Sequence, residues 1–138
     1  MPTRSELKEI YSHTSYNVHA PEGIIRLRVG EHSAALDELL QGRGAPVWAF
    51  ITAWNPGSMR LPRAENERNN RDLLERLQRM GYEAIPGEGA GDDGSWEPEA
   101  SFLVPGLPLD AALELGRFYR QMAVLVGTRG SVPKILWC

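Results

Sequence analysis

The sequence predicts an α/β (α+β) fold, in which helices cover a mixed β-sheet to form a single-domain sandwich. Segments with the alternating pattern of strands are interspersed with segments of helical periodicity along the whole chain. Val47 to Trp54 is apolar on both faces apart from Thr52, which is typical of a central strand covered on both sides. The chain has 138 residues, of which 42% are hydrophobic, so we expect one core and one domain over residues 1–138.

Capping residues and apolar periodicity predict four helices. Thr3-Arg4-Ser5-Glu6 has the spacing of a capping box, so a short helix starts there. Ser33 is suited to cap a second helix, which Gly42 ends. The third helix covers Arg63 to Met80, and the fourth covers Pro108 to about Gln121.

Apolar segments between turn signals predict the remaining strands. They are Tyr16 to His19, Ile24 to Gly30, a strand from Tyr82, Ser101 to Val104, Met122 to Val126 and Val132 to Trp137. The last two form a hairpin around Gly127-Thr128-Arg129-Gly130. The Gly-rich, acidic stretch from Gly87 to Glu99 is predicted as a loop.

Composition and charge argue against several classes of protein. Fifteen Lys and Arg against eighteen Asp and Glu give a net charge of -3, which is unlike a protein that coats nucleic acid but does not exclude a local basic patch. Cys138 is the only cysteine, so no intramolecular disulfide can form and a reducing compartment is expected. The polar opening from Met1 to Lys8 is unlike a secretory signal, and no apolar run is long enough to span a membrane. We therefore expect a soluble cytoplasmic protein, and the spacing of its histidines predicts no metal site.

The first candidate site is the loop Thr52-Ala53-Trp54-Asn55-Pro56-Gly57-Ser58, which follows the predicted central strand. Ligand sites of open α/β sheets gather beyond the carboxyl ends of strands. Asn55 and Ser58 offer hydrogen-bonding side chains, and Gly57 allows a ligand to approach the backbone closely. The same residues also make an ordinary turn, so the loop alone leaves both interpretations open.

Two asparagines continue the apolar stripe of the third helix. The stripe consists of Leu73, Leu74, Leu77 and Met80. Extending it backwards by three to four residues at a time reaches Asn70 and then Asn66. A buried amide costs about 1–3 kcal/mol unless its hydrogen bonds are satisfied. These amides either tie down the preceding loop or line one polar pocket with Asn55 and Ser58.

Two further segments carry polar groups that suit a site. If a strand begins at Glu99, the side chains of Glu99 and Ser101 point the same way, next to Trp96 in the chain. Glu99 is then either a general base or ligand anchor, or a solvated carboxylate at a strand entrance. Arg117 and Gln121 lie about one helical turn apart at the end of the last helix, where capping of the helix carbonyls is the alternative to a site.

These residues resemble a bacterial family of domains of unknown function, number 3293. The resemblance covers nearly the whole chain and depends on two specific blocks, Phe50-Ile51-Thr52-Ala53-Trp54-Asn55-Pro56-x-Ser58 and Trp96-x-Pro98-Glu99-x-Ser101. Supporting positions are Thr14-x-Tyr16, Arg28-Val29-Gly30-Glu31, Asn66 with Arg71 and Leu74, and Gly116-Arg117-Phe118 with Gln121. Tyr119-Arg120 departs from the expected Phe-Gly, which predicts a backbone less close to its neighbour there. The resemblance implies a small stand-alone bacterial protein and transfers no known activity, but it favours a pocket because the polar positions occur as a set.

Two hypotheses of function follow. The first is binding, with or without turnover, of a small polar or nucleotide-like ligand, because amides suit base edges and indoles suit stacking. The binding residues would be Thr52, Trp54, Asn55, Ser58, Asn66, Asn70, Trp96, Ser101, Arg117 and Gln121, and Glu99 would be the acid or base in any reaction. The second is a non-catalytic module that binds protein or nucleic acid through the arginines around the third helix, although interleaved carboxylates are more typical of a solvated surface. No cofactor, membrane partner or oligomeric state is predicted.

Overall fold

The computed structural model of the protein describes residues 2–138. Over these residues the helices are α1 (Arg4–Ser12), α2 (Ala34–Gly42), α3 (Arg63–Arg79) and α4 (Leu109–Phe118), with a short 3-10 turn at Pro56–Ser58. The strands are β1 (Thr14–Ala20), β2 (Gly23–Leu27), β3 (Val47–Ile51), β4 (Ile85–Gly91), β5 (Glu99–Pro105), β6 (Ala123–Thr128) and β7 (Lys134–Trp137). All four predicted helices are confirmed. The Thr3 and Ser33 hydroxyls cap α1 and α2, since each accepts a backbone N–H at 3.1 Å.

The strands form one sheet in the order β2-β1-β4-β5-β3-β6-β7, and each neighbouring pair is antiparallel. The α+β class is confirmed, but the prediction of a mixed sheet is wrong. The helical connections α3 and α4 do join strands that run in the same direction, β3 with β4 and β5 with β6. In each case an antiparallel strand lies between the two, so no parallel pair forms.

The central position of β3 is confirmed. It pairs with β5 on one side and with β6 on the other. The face that bears Trp48 and Phe50 packs against α2, and these side chains are only 2% and 4% exposed. The opposite face, which bears Ala49 and Ile51, packs against α3 and α4. Two separate apolar layers therefore hold this strand in place.

The apolar stripe of α3 is buried only in part. Leu73 and Leu77 are fully buried against the sheet, whereas Leu74 is half-buried. Met80, which the periodicity assigned to the same stripe, is 44% exposed. It is the residue that caps the end of α3, beyond the part of the helix that covers the sheet.

The two edges of the sheet meet through the segments that flank them. The backbone N–H of Gly30, shortly after β2, donates to the carbonyl of Pro133, directly before β7, at 2.9 Å. The N–H of Gly130 in the β6–β7 turn donates to Asp37 Oδ1 of α2, also at 2.9 Å. The sheet is therefore curled, because its first and last strands are close enough to share a hydrogen bond across their ends.

Strand β4 corrects the prediction of a loop in the Gly-rich stretch. It pairs with β1 on one side and with β5 on the other, and it begins at Ile85 rather than Tyr82. A Cβ at Gly87 would lie 2.4 Å from the carbonyl oxygen of Asn17 and 3.0 Å from the Phe50 ring. The strand therefore fits only because Gly87 has no side chain. Pairing on both sides outweighs the low strand propensity of glycine.

Candidate functional site

The buried asparagines of α3 hold the chain where β3 ends. Asn70 Oδ1 accepts the N–H of Ala53 at 2.8 Å, and its Nδ2 donates to the carbonyl of Ala100 at 2.8 Å. The Thr52 hydroxyl donates to the same carbonyl at 2.7 Å and accepts the N–H of Trp54 at 3.0 Å. Asn70 is only 6% exposed. Both the oxygen and the nitrogen of its buried amide are therefore hydrogen-bonded to protein groups, as buried amides normally are.

Asn55 and Asn66 form a second, reciprocal pair in the loop that follows. The N–H of Asn55 donates to Asn66 Oδ1, and Asn66 Nδ2 donates to Asn55 Oδ1, each at 2.8 Å. The N–H of Leu61 also donates to Asn55 Oδ1, at 3.0 Å. Asn55 adopts a left-handed conformation (φ 45°, ψ 63°), which asparagine tolerates better than most residues. These contacts fix the direction in which the rest of its amide points.

The remaining amide nitrogen of Asn55 contacts the candidate catalytic carboxylate. Asn55 Nδ2 donates to Glu99 Oε2 at 3.0 Å. Glu99 is the first residue of β5 and is half-buried. Burial raises its pKa above the ordinary value, and the hydrogen bond from Asn55 opposes this increase only in part.

The end of α4 completes the loop cluster. Gln121 Nε2 donates to the carbonyl of Trp54 at 3.1 Å, and the N–H of Gly57 donates to the carbonyl of Arg120 at 2.7 Å. Arg120 adopts the left-handed conformation (φ 53°), in which glycine is preferred, and the looser backbone expected there stays a prediction.

A cavity of about 340 Å³ lies beside this cluster, on the sheet face that also carries Phe50 and Tyr16. Eight of the predicted site residues line it, namely Thr52, Trp54, Asn55, Ser58, Trp96, Glu99, Ser101 and Gln121. Helix α1 contributes Leu7, Ile10 and Tyr11 to the same wall. The rest of the lining is mostly apolar, so a few polar groups converge in an otherwise apolar cavity, as is usual for small-molecule sites.

The floor of this cavity is a glycine between two polar side chains. In the sheet register Gly89 is paired with Tyr16 of β1 on one side and with Glu99 of β5 on the other. Side chains paired in this way share one face of the sheet. A Cβ at Gly89 would have only the Tyr16 ring within 4 Å, at 3.8 Å. The space above Gly89 is therefore open, and it separates the phenol from the carboxylate.

A second, outer cavity of about 440 Å³ adjoins the first. The two cavities share Trp54, Asn55, Ser58, Trp96 and Glu99. Asn66 lines the outer cavity only, together with the basic residues Arg60 and Arg63. The five shared residues form the boundary between an inner apolar space and an outer space with positive charge at its rim.

Two predicted site residues lie apart from both cavities. Neither Asn70 nor Arg117 is part of their lining, within residues 2–138. For Asn70 the structure supports the loop-tying interpretation, since its amide is fully engaged with backbone groups. Arg117 is exposed on α4, and its charge acts on the Cys138 thiol, where it partly opposes the increase in pKa that burial causes.

Sequence reasoning missed the two tyrosines of the cavity. Burial, followed by the negative charge of Glu99, raises the pKa of Tyr11 to about 12. Burial and the neighbouring Tyr11 and Glu99 raise the pKa of Tyr16 as well. The capping box at Thr3 predicts the helix that carries Tyr11, but no local pattern indicates where a short helix docks.

Other features of the described residues bear on the remaining expectations. Within residues 2–138 no helix is long and apolar enough to cross a membrane. In the same range, no group of three or more His, Cys, Asp and Glu residues is placed to hold a metal ion. On α3 the Arg63 guanidinium contacts Glu67 at 2.9 Å and Arg76 lies 3.7 Å from Asp72, so carboxylates pair with part of the basic surface.

Neither a curated protein nor a solved structure matches this chain. A family model described as "Protein of unknown function (DUF3293)" matches residues 51–124. The matched segment includes the Asn55 loop, Asn66, Glu99 and Gln121, but it leaves out α1 and β1 with their tyrosines. Since the match covers more than half of the 138 residues, the chain belongs to the DUF3293 family.

Proposed function

We propose that the protein binds a small polar, ring-bearing ligand, of the nucleobase or nucleoside kind, in the inner cavity. The observation that carries this proposal is the half-buried Glu99 carboxylate across an open floor from Tyr16, in a cavity of about 340 Å³. This volume is within the usual range for small-molecule sites, about 300–1,000 Å³. The aromatic side chains of Trp54 and Trp96 offer surfaces for stacking.

The polar groups of the cavity fit a ligand with several hydrogen-bonding edges. The Glu99 carboxylate accepts from Asn55 and has further acceptor capacity for a ligand. The Ser58 hydroxyl makes no hydrogen bond with another residue in the range 2–138, and it is exposed at the boundary of the two cavities. Among residues 2–138, the basic side chains of the two linings are Arg60 and Arg63, which line the outer cavity together with Glu97, so a phosphate on the ligand would lie there.

Turnover would depend on Glu99. Its pKa is raised by burial, so this carboxyl group holds a proton more readily than an exposed glutamate does. No histidine lines either cavity, among the residues described. A reaction in this cavity would therefore be proton transfer at a ligand group held against Glu99.

The experiment fills the cavity floor and keeps the fold. Gly89→Val places a branched side chain into the open space, at an extended backbone position that suits it. Ala90→Val is the matched control, because the next residue of the same strand points to the opposite face. Binding of a collection of small aromatic fragments would be measured by ligand-observed NMR, and folding by chemical denaturation.

We expect fragments that bind the wild-type protein and the Ala90→Val variant but not the folded Gly89→Val variant. Fragments that bind all three proteins equally would place the binding site elsewhere. A wild-type protein that binds no fragment at all would contradict the proposal.

A further inference from the structure

We infer that the inner cavity selects a small organic cation, an amine or amidine carried on a flat ring, over neutral and anionic molecules of the same shape. This inference rests on the proposed function, since it requires that the cavity binds a ligand. The inference specifies the charge of that ligand, which the proposed function leaves open.

The first observation is that no basic side chain of residues 2–138 is paired with Glu99. Its one hydrogen bond from a side chain is the neutral amide of Asn55, at 3.0 Å on Oε2. Within residues 2–138 no Lys, Arg or His nitrogen lies within 4.0 Å of its carboxylate, although ten such pairs occur elsewhere in the structure. Buried carboxylates are normally paired, because an isolated charge in an apolar place is costly. A carboxylate left without a countercharge in a cavity can receive that charge from a ligand.

The second observation is the charge of the whole wall. Among the described residues that line the inner cavity there is no Lys, Arg or His, and Glu99 is the only carboxylate. The phenols of Tyr11 and Tyr16 stay neutral at physiological pH, since burial raises the pKa of both. From the side chains of residues 2–138 that line the cavity, an anionic ligand would therefore meet the negative charge of Glu99 and no positive charge.

The third observation is the aromatic content of the same wall. Tyr11, Tyr16, Trp54 and Trp96 line the cavity around the carboxylate. Aromatic faces attract cations through their quadrupole, most strongly where water is excluded. A cation on a flat ring would thus use both the carboxylate and the aromatic surfaces, whereas its neutral analogue would use only the surfaces.

Three probes of one shape test this inference: benzamidine, which is protonated at pH 7, benzamide and benzoate. Their affinities would be measured by NMR titration with the wild-type protein, Glu99→Gln and Glu97→Gln. Glu97 is the matched control, because it is exposed and lines only the outer cavity. We expect the wild-type protein and Glu97→Gln to bind benzamidine at least about tenfold more tightly than benzamide, and benzoate most weakly. Each tenfold step corresponds to about 1.4 kcal/mol.

In Glu99→Gln the preference for benzamidine over benzamide should disappear. A preference that survives in Glu99→Gln, or equal binding of all three probes by the wild-type protein, would overturn the inference. If benzamidine and benzamide bind the wild-type protein equally and both are lost in Gly89→Val, the proposed function stands and only the charge selectivity is wrong. If no fragment of any charge binds, both are wrong.

Discussion

The side-chain amide of Asn70 supplies the backbone partner that Ala53 would otherwise have in β5. Strands β3 and β5 are paired up to Ile51 and Phe102, and the same register, continued by two residues, would bring Ala53 opposite Ala100. Instead, Asn70 accepts from the Ala53 N–H and donates to the Ala100 carbonyl, both at 2.8 Å. The amide thus replaces a peptide group between two strands that diverge, and the divergence is where the Thr52–Ser58 loop begins.

Asn70→Ala should destabilise the protein by about 1–3 kcal/mol, because it leaves the buried Ala53 N–H without a partner. The measurement is the free energy of unfolding from urea denaturation. Asn69→Ala is the control, since Asn69 is half-buried on the same helix and makes no side-chain hydrogen bond in the described range. Equal stabilities of the two variants would contradict the bridging role of Asn70.

Arg120→Gly should stabilise the protein by up to about 1 kcal/mol. A left-handed conformation costs a non-glycine residue about 1–2 kcal/mol, of which the greater chain entropy of unfolded glycine cancels about half. Arg120 has this conformation at the end of α4, where its N–H donates to Arg117 and the next N–H donates to Gly116. Thermal and chemical denaturation would measure the gain.

Arg117→Gly is the control for that experiment. It places the same residue in the helical last turn of α4, where glycine costs about 1 kcal/mol. The two substitutions should therefore change the stability in opposite directions. A loss in both variants would mean that the Arg120 side chain stabilises the protein more than its backbone conformation costs.

Local signals in the sequence were sufficient for most of the fold. The N-caps at Thr3 and Ser33 and the two-sided apolar character of β3 follow from short-range chemistry, and all are found. Local signals do not determine whether neighbouring strands are parallel or antiparallel, because that depends on which strand inserts between two others. The insertion of β5 between β3 and β4 depends on contacts far apart in the chain, so the expected mixed sheet was wrong.

The candidate site could be predicted only as a set of polar residues. The chain pattern correctly indicated that Asn66 and Asn70 are buried, at 2% and 6% exposure. It could not say that Asn70 faces backbone groups rather than a cavity, since both arrangements bury an amide equally well. The cavity floor at Gly89 could not be predicted for a related reason. The open space above a glycine in a strand depends on the residues paired with it on β1 and β5, which are distant in the sequence.

Asp92 should give the protein part of its resistance to acid. Hydrogen bonds from Arg28 and Ser15 hold the pKa of Asp92 at about 2, against an ordinary value of 3.8. The stabilisation is therefore present above 3.8 and is lost as the pH falls towards 2. Urea denaturation across this range should show a weaker pH dependence for Asp92→Asn than for the wild-type protein.

Glu38→Gln, which removes an exposed carboxylate of α2, is the control for Asp92 and should keep the wild-type slope. An Asp92→Asn variant whose stability falls with acid as steeply as that of the wild-type protein would show that the Arg28 ion pair does not act on folding.

Glu99→Gln should increase the free energy of unfolding at neutral pH, in contrast to Asp92, whose carboxylate stabilises the folded protein. The pKa of Glu99 is raised above 4.5 in the folded protein, chiefly by burial, so the ionised carboxylate destabilises the folded state above that pKa. The variant should therefore be more stable than the wild-type protein at pH 7. The difference should shrink as the pH falls through the raised pKa, and vanish below 4.5. Glu97→Gln should show no such pattern in the same denaturation series.

The most direct test is the titration of the Glu99 carboxyl group itself, followed by its side-chain 13C chemical shift as the pH is changed. Tyr11 and Tyr16 face this group from α1 and β1, and both stay neutral over the range of the titration. We predict a pKa above 4.5 in the free protein, and a lower pKa when benzamidine is present at saturation, because a bound cation favours the ionised carboxylate. A pKa at or below 4.5 that benzamidine leaves unchanged would contradict the claim that Glu99 is a desolvated carboxylate that binds the positive charge of a ligand.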